Sequence, residues 1–304
     1  MNNSVMDPRR LELLLELSRL GSMRAVAETM HVTTSTVSQQ IAVLAREAGT
    51  PLTEPAGRRV RLTPAGQRLA DHAVTILAAL EAARLDLDPS AAPSGIVRAA
   101  SFATAARQVL LPVARILAAQ HPRVSLHIHE HEPGEALGLL ASDEADLALV
   151  YDYNLAPATF PRGLAIRSLG STRWGLGVPS DPGRGRGTAP EAFGRFRDFD
   201  WIVNSRNTAD DEVIRVLGSL AGFEPRVAHR ADSLELVQDM IVAGLGVGLL
   251  PAGQPALKGM TLQSLHHPQV MMRAYAAIRR GRPAWPPLAL VLDLIQYQCL
   301  GSQT

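Results

Sequence analysis

From residue 95 to the C-terminus the apolar residues keep changing period, and that alternation limits the fold more than any other feature. "GIVRAAS" (95–101) has the length and composition of a strand, and "TAARQVLLPVARILAAQHP" (104–122) has helical spacing with Pro112 near an early turn. "VSLHIHEHE" (124–132) reads as a strand, "GEALGLLASDE" (134–144) as a helix and "ADLALVYD" (145–152) as a buried strand. Strands separated by helices of this length predict parallel pairing through crossovers. A second round begins near Ser168. It runs through "WGLGVP" (174–179), "DWIVNS" (200–205), the helix "DDEVIRVLGSLAG" (210–222) and "RVAHRA" (226–231). "SLELVQDMIVAG" (233–244), "VGLLP" (247–251), "MMRAYAAIRR" (271–280) and a helix from Pro286 to Cys299 complete it. Two α/β rounds predict two lobes with a cleft, and ligands of open α/β sheets sit beyond the carboxyl ends of the strands.

The first 87 residues follow different rules. Asp7 and Pro8 form a helix start, Leu11, Leu14, Leu15 and Leu17 its apolar stripe, and Gly21 its end. Ser22 caps a short second helix through Met30, and Thr33 caps a third on which Val37, Ile41, Leu44 and Ala48 share one face. Three short helices with a tight turn between the last two make a helix-turn-helix candidate. "RRVRLTPAG" (58–66) then alternates like a basic strand, the form of a wing. Thr63 and Pro64 open a long helix to about Asp88, on which Leu69, Ala73, Ile76, Leu80, Ala83 and Leu87 repeat at heptad spacing. That stripe predicts a dimerisation seam; a core-facing helix is the alternative. "DPSAAPSG" (88–95) reads as a linker.

A formal net charge of +1 over 304 residues points to no polyanionic partner globally, so any basic surface is local. The first 68 residues hold nine arginines against six acids, three of them together at Arg58, Arg59 and Arg61. The single cysteine, Cys299, excludes an intrachain disulfide and suggests a reducing compartment. The only apolar stretch near the N-terminus is broken by acids and arginines, unlike a signal peptide, and no run approaches membrane-spanning length. The expectation is a cytoplasmic protein without a membrane partner.

Three stretches together resemble the LysR-type transcriptional regulators. "GSMRAVAETMHVTTSTVSQQIAVLAREAG" (21–49) is similar to the family's helix-turn-helix, "RVRLTPAGQRL" (59–69) to its wing and linker start, and "LVQDMIVAGLGVGLLP" (236–251) to a helix–turn–strand late in its effector domain. "LLPVARILAAQHP" and "ADLALV" are weaker matches. The sequence departs from the family at Ala45, where a glutamate is usual, and at Leu52-Thr53-Glu54-Pro55, where an aromatic and an arginine are missing. The resemblance implies an α/β protein with an N-terminal all-α winged helix-turn-helix (1–66), a linker and dimerisation helix (67–88) and a hinge (89–95). An effector-binding domain (96–304) resembling periplasmic binding proteins completes it. Lobe I would span about 96–167 and 270–304, and lobe II about 168–269. It implies operator DNA, a small-molecule effector, self-association as dimer or tetramer, and RNA polymerase if the protein activates.

On the third helix, a core face at Val37, Ile41 and Leu44 turns Ser35, Gln39, Ala42 and Arg46 outward, with Thr36 and Ser38 flanking. Hydroxyls, an amide and an arginine suit base edges and phosphates of a major groove, and the helix start offers N–H groups to a phosphate. A solvated surface helix is the plainer alternative. The resemblance favours the groove, with Thr34, Ser35, Ser38 and Gln39 as contacts beside Thr33, Arg46 and the wing arginines. In the α/β part, Ser101 and Thr104 at a strand end and helix start suggest an anion or carboxylate site, and Asn204, Ser205 and Arg206 end a strand of the second lobe. The resemblance places the same regions, with Glu130 and Val247, around an effector pocket; ordinary caps and turns are the alternative.

"HIHEHE" (127–132) sets three imidazoles on one strand face, but alternate residues lie about 7 Å apart, too wide for one tetrahedral zinc ion. No metal or cofactor is expected. "GLGVG" (244–248) follows a helix, so it makes a tight turn and not a dinucleotide loop. "PGRGRG" (182–187) reads as a surface loop. No nucleophile–base–orienter set or phosphate-binding loop appears, which argues against an enzyme. A small-molecule-binding protein with a degenerate DNA module, or an enzyme using the α/β cleft, are the rival readings.

Overall fold

The computed structural model describes residues 6–56, 59–87, 92–180, 187–206, 209–253 and 255–301. Three helices, α1 (Pro8–Leu20), α2 (Met23–Thr29) and α3 (Thr34–Glu47), open the chain. The Asp7 side chain accepts from the Arg9 N–H, the Thr33 hydroxyl accepts from Thr36, and Gly21 closes α1 at φ 61°. These caps satisfy backbone donors that a short helix otherwise leaves to water. Leu11, Leu14, Leu17, Val26, Val37, Ile41 and Leu44 meet in one core. Each such aliphatic side chain contributes about 1.5–3 kcal/mol on burial.

The wing holds two strands where the sequence suggests one. β1 (Thr53–Ala56) pairs antiparallel with β2 (Arg59–Leu62), with Pro55 opposite Val60. Leu52 is buried in the helical core, and its carbonyl receives the Thr63 N–H. A Cβ at Gly66 would sit 2.1 Å from that carbonyl oxygen, so only glycine lets the wing close against the next helix.

That helix, α4 (Pro64–Leu87), divides its expected heptad stripe. Ala73 is fully buried in the chain's own winged-domain core and Leu69 packs against it, so Ala73 has no surface left for a partner. Further along, Ile76, Leu80 and Leu87 remain 40 %, 38 % and 85 % exposed, and Ala83 lies between them. The first half of α4 packs against α1 and the winged-domain core, while further along Ala78 is buried and the face of Ile76, Leu80 and Leu87 is left exposed.

The α/β part forms one nine-stranded sheet. β3 (Gly95–Ser101), β4 (Val124–Glu130) and β5 (Leu147–Tyr153) pair in parallel at one end. β6 (Leu164–Pro179) is 16 residues long, and β7 (Asp200–Val203), β8 (Arg226–Arg230) and β9 (Val247–Pro251) form the other end. β10 (Met260–Ser264) pairs with β6, and β11 (Val270–Arg279) lies antiparallel between β5 and β6. The order is β4-β3-β5-β11-β6-β9-β7-β8, a mixed sheet and not the wholly parallel one the alternation suggests. β6 begins ten residues before "WGLGVP" because "LAIRSLGSTR" intersperses Gly, Ser and Arg and hides its alternation. A bulge near Leu169, opposite Ala274 and Tyr275, interrupts β6 between its two halves.

Helices cover both faces: a helical stretch over 103–120, α7 (Pro133–Ala141), α8 (Ala189–Gly194), α9 (Ala209–Leu220), α10 (Leu234–Val242) and α11 (Pro286–Gly301). Within the 103–120 stretch α5 (Ala103–Ala105) and α6 (Leu111–Gln120) flank a π-turn at Ala106–Leu110. The π-turn falls just before Pro112, whose missing N–H breaks the α ladder. The glycines of "GLGVG" do make a helix-to-strand turn. Gly244 takes φ 76°, and a Cβ at Gly246 would lie 2.5 Å from the Asp200 carbonyl oxygen.

Charged contacts fasten the winged domain to the first lobe. Arg279 bonds Asp71 of α4 at 2.6 Å and Asp143 at 3.2 Å, while Arg19 of α1 approaches Asp143 at 3.6 Å. The linker residues 88–91 lie outside the described residues, as do Arg58 of the wing and the 182–186 part of "PGRGRG".

Candidate functional site

Two sites follow from this scaffold. On α3, Val37, Ile41 and Leu44 are buried, whereas Thr33, Thr34, Ser35, Ser38, Gln39, Ala42 and Arg46 are exposed. Adjacent glutamines are treated differently. Gln40 accepts from the Arg10 Nε of α1 at 2.9 Å, and the same arginine pairs with Glu47. Arg10 therefore locks the back of α3 while Gln39 faces solvent. The Thr33 hydroxyl is engaged in the cap and in bonds to Ser35 and Thr36 at 2.8 Å, so it orients the helix start. In the wing, Arg61 pairs with Glu54 across the two strands at 2.7 Å but stays largely exposed. Arg59 occupies β2 opposite Ala56.

The second site is a cavity of about 350 Å³ between the two ends of the sheet. Thr104 and Asn204 line it. Ser101 does not; it is fully buried and its hydroxyl donates to the Phe102 carbonyl at 3.1 Å. Val247 is likewise buried in the core of β9, since strand side chains alternate and this one points inward. Glu130, Ser205 and Arg206 stand around the cavity without lining it. Ser205 donates its N–H to Asp232 at 2.8 Å. Arg206 bonds Asp232 at 3.1 Å and reaches across to Glu130 at 3.3 Å and Glu135 at 3.4 Å. Arg107 and Glu235 form a second ion pair across the cleft.

The walls hold residues that sequence reasoning missed. Phe102, Glu132, Tyr151, Trp174 and Asp232 all line the cavity. Tyr151 donates to Glu132 at 3.0 Å. Phe102–Tyr151, Tyr151–Tyr153 and Tyr153–Trp174 make a run of edge-to-face aromatic pairs. Behind them lies Asp210, which accepts from the Asn204 amide once that amide is turned to place its nitrogen inward. Burial pushes the Asp210 carboxyl up to about 7, and the charges of Glu132 and Asp232 push the same way. Burial would also raise Asp232, but hydrogen bonds from Ser205 and Arg206 outweigh it and hold that carboxyl below its ordinary value. A signal for Glu132 and Asp232 existed: both follow the carboxyl ends of strands, the rule that pointed to Asn204. Tyr151 was legible only as part of a buried strand. Along β5, Leu149, Tyr151 and Tyr153 face one core while Ala148 and Val150 face another.

The "HIHEHE" imidazoles lie on the edge strand β4 and just beyond it, with the His129 and His131 rings 6.5 Å apart. Among the described residues no group of three His, Cys, Asp or Glu is placed to hold a metal ion. No helix among them is long and apolar enough to cross a membrane.

A winged helix-turn-helix, a long exposed-stripe helix and a cleft between two α/β lobes define a class: regulators that couple DNA binding to a small ligand. The chain belongs to the LysR family of transcriptional regulators. Residues 8–67 match the "Bacterial regulatory helix-turn-helix protein, lysR family" and residues 90–300 match the "LysR substrate binding domain". The chain is similar to the transcriptional regulator CysB of Haemophilus influenzae, 26% identical over 249 residues, covering 81% of this chain and 75% of that protein. The nitrogen assimilation regulatory protein nac of Escherichia coli is 27% identical over 250 residues, covering 81% and 78%. Among solved structures, a full-length OxyR variant of Pseudomonas aeruginosa shares the fold with a TM-score of 0.69 at 18% identity, covering 96% of this chain and 95% of that one. ArgP of Mycobacterium tuberculosis does so at 0.67 and 20% identity, covering 98% of both.

Proposed function

We propose that this LysR-family regulator binds its operator through the outward face of α3, with Thr34, Ser35, Ser38, Gln39 and Arg46 as groove and phosphate contacts and Arg58, Arg59 and Arg61 at the backbone. Thr33 sets the start of that helix. The observation that carries the reading is the sorting of α3: its apolar residues are buried, Arg10 ties Gln40 and Glu47 inward, and Gln39 is left exposed. A glutamine so placed can pair bidentately with adenine. Two copies joined along Ile76, Leu80, Ala83 and Leu87 would present two recognition helices to successive half-sites, and the family resemblance extends this to a tetramer. The protein would act in the cytoplasm, meeting RNA polymerase if it activates.

An effector in the cavity would act by its differential affinity for two spacings of the lobes, since Arg206 and Arg107 each form ion pairs from one lobe to the other. Thr104 and Asn204 line that cavity, and Arg206 stands at its edge. The rival reading, a degenerate DNA module, rests on Ala45, Thr53 and Pro55; against it, Ala45 packs on the helical core, Thr53 and Pro55 form a paired strand, and Leu52 remains buried. An enzymatic use of the cleft has no specific observation in its favour.

Gel-shift and footprinting with the DNA upstream of the protein's own gene test the reading. Gln39→Ala is expected to weaken operator binding by roughly 1–3 kcal/mol while leaving nonspecific binding intact. Unchanged operator affinity would remove Gln39 from the groove, and no shifted band at low salt with folded protein would remove the DNA-binding function.

A further inference from the structure

We propose that the cleft accepts a small organic cation, an ammonium or guanidinium compound, seated on the Glu132 side of the cavity against its aromatic wall. The proposal rests on the reading of the cavity as an effector site and names the chemistry it would recognise.

The charge of the walls carries the argument. Among the described residues lining the cavity, the acids are Glu132 and Asp232, and no lysine, arginine or histidine lines it. The sequence suggests an anion site at the helix start near Thr104, yet no lining cation supports one there. At the edge, Arg206 serves Asp232, Glu130 and Glu135 at once and also feels the charge of Glu132. One guanidinium is thus shared by four carboxyl groups. Among the described residues at this edge the carboxyl groups outnumber the one guanidinium that serves them. A carboxylate ligand would add to that surplus; a cation would offset it.

Shape and polarity agree. Glu132 is only 5 % exposed, so a charge brought to it meets little competing water. Phe102, Tyr151 and Trp174 border the same space, and aromatic faces attract ammonium and guanidinium groups within about 6 Å of the ring centroid.

The test uses the full chain, with thermal shift and calorimetry against agmatine, putrescine and L-arginine, and against succinate and benzoate as anions of similar size. Wild type is compared with Glu132→Gln, which retains an acceptor for Tyr151, and with Ala103→Phe, which fills the cavity; circular dichroism confirms folding. At least one cation is expected to stabilise wild type, to bind roughly tenfold or more weakly to Glu132→Gln, and to lose its effect in Ala103→Phe. Stabilisation by an anion that Ala103→Phe abolishes and Glu132→Gln does not weaken would overturn the cation proposal but keep the effector cleft. No response to any of the cations up to about 10 mM, beyond even weak specific affinities, also overturns it. A gel shift run in parallel reports separately whether the DNA-binding reading stands.

Discussion

Asp146 offers the sharpest test of how the effector domain is held. Its carboxylate is buried at the start of β5 and accepts four hydrogen bonds of 2.9 Å, from the Arg98 N–H, Nε and Nη2 and from the Arg282 Nη2. Arg282 also stacks over Trp285, 4.3 Å from the ring centroid. Replacing Asp146 by asparagine keeps the shape and removes the charge, leaving two guanidinium groups without their shared counterion. Breaking a buried pair costs about 3–5 kcal/mol, and because both arginines are partly exposed the lower figure applies. At about 2–4 °C per kcal/mol for a domain of this size, Asp146→Asn should lower Tm by roughly 6–12 °C at neutral pH. The pH dependence has a definite sign. Burial alone would raise the Asp146 carboxyl, but the hydrogen bonds and charges of Arg98 and Arg282 hold it below its ordinary 3.8. Its contribution is therefore complete above that value and is lost as pH falls through the lower folded value. Calorimetry of both proteins should show the gap narrowing below about pH 4. A gap under about 2 °C at neutral pH, or one undiminished near pH 3, would refute the assignment.

Two further perturbations address the sites. Asp210 behaves in the opposite sense: its carboxyl is raised from 3.8 to about 7, so the folded state holds a proton the unfolded chain releases, and stability falls as pH rises through that window. Asp210→Asn should gain on wild type by on the order of 4 kcal/mol from acid to above neutral pH; a pH-independent difference in chemical denaturation would contradict the shift. Leu80→Asp, on the exposed half of α4, should dissociate the proposed dimer in light scattering without lowering the helicity of the winged domain. An unchanged mass would move the interface elsewhere.

Much of the fold was legible because local chemistry decides it. Asp7, Ser22 and Thr33 cap helices wherever those helices pack, and the spacing of Val37, Ile41 and Leu44 sets which way Gln39 points. Period changes located most strands of the α/β part, the Gly246 turn and the last helix. The first half of β6, the short helix α8 and the strand β10 escaped, since their sequences carry weak alternation and their pairing is with distant segments. The cleft escaped more fully. Thr104 and Asn204 were reachable from strand ends, but Ser101 and Val247 turn into the core because strand side chains alternate, and one residue of phase reverses the answer.

The sequence by itself determined the helix-turn-helix, the outward face of α3, the two rounds of strand and helix, and membership of a family. Tertiary structure decided what depends on long-range approach. It spends Ala73 in the chain's own core and leaves Leu80 exposed, because the winged-domain core covers one face of α4 and not the other. It brings Glu132, Asp232 and Asp210 around a single cavity from positions up to 100 residues apart. Their electrostatic character exists only once they are close and dry, since charge interactions weaken with distance and with water between them.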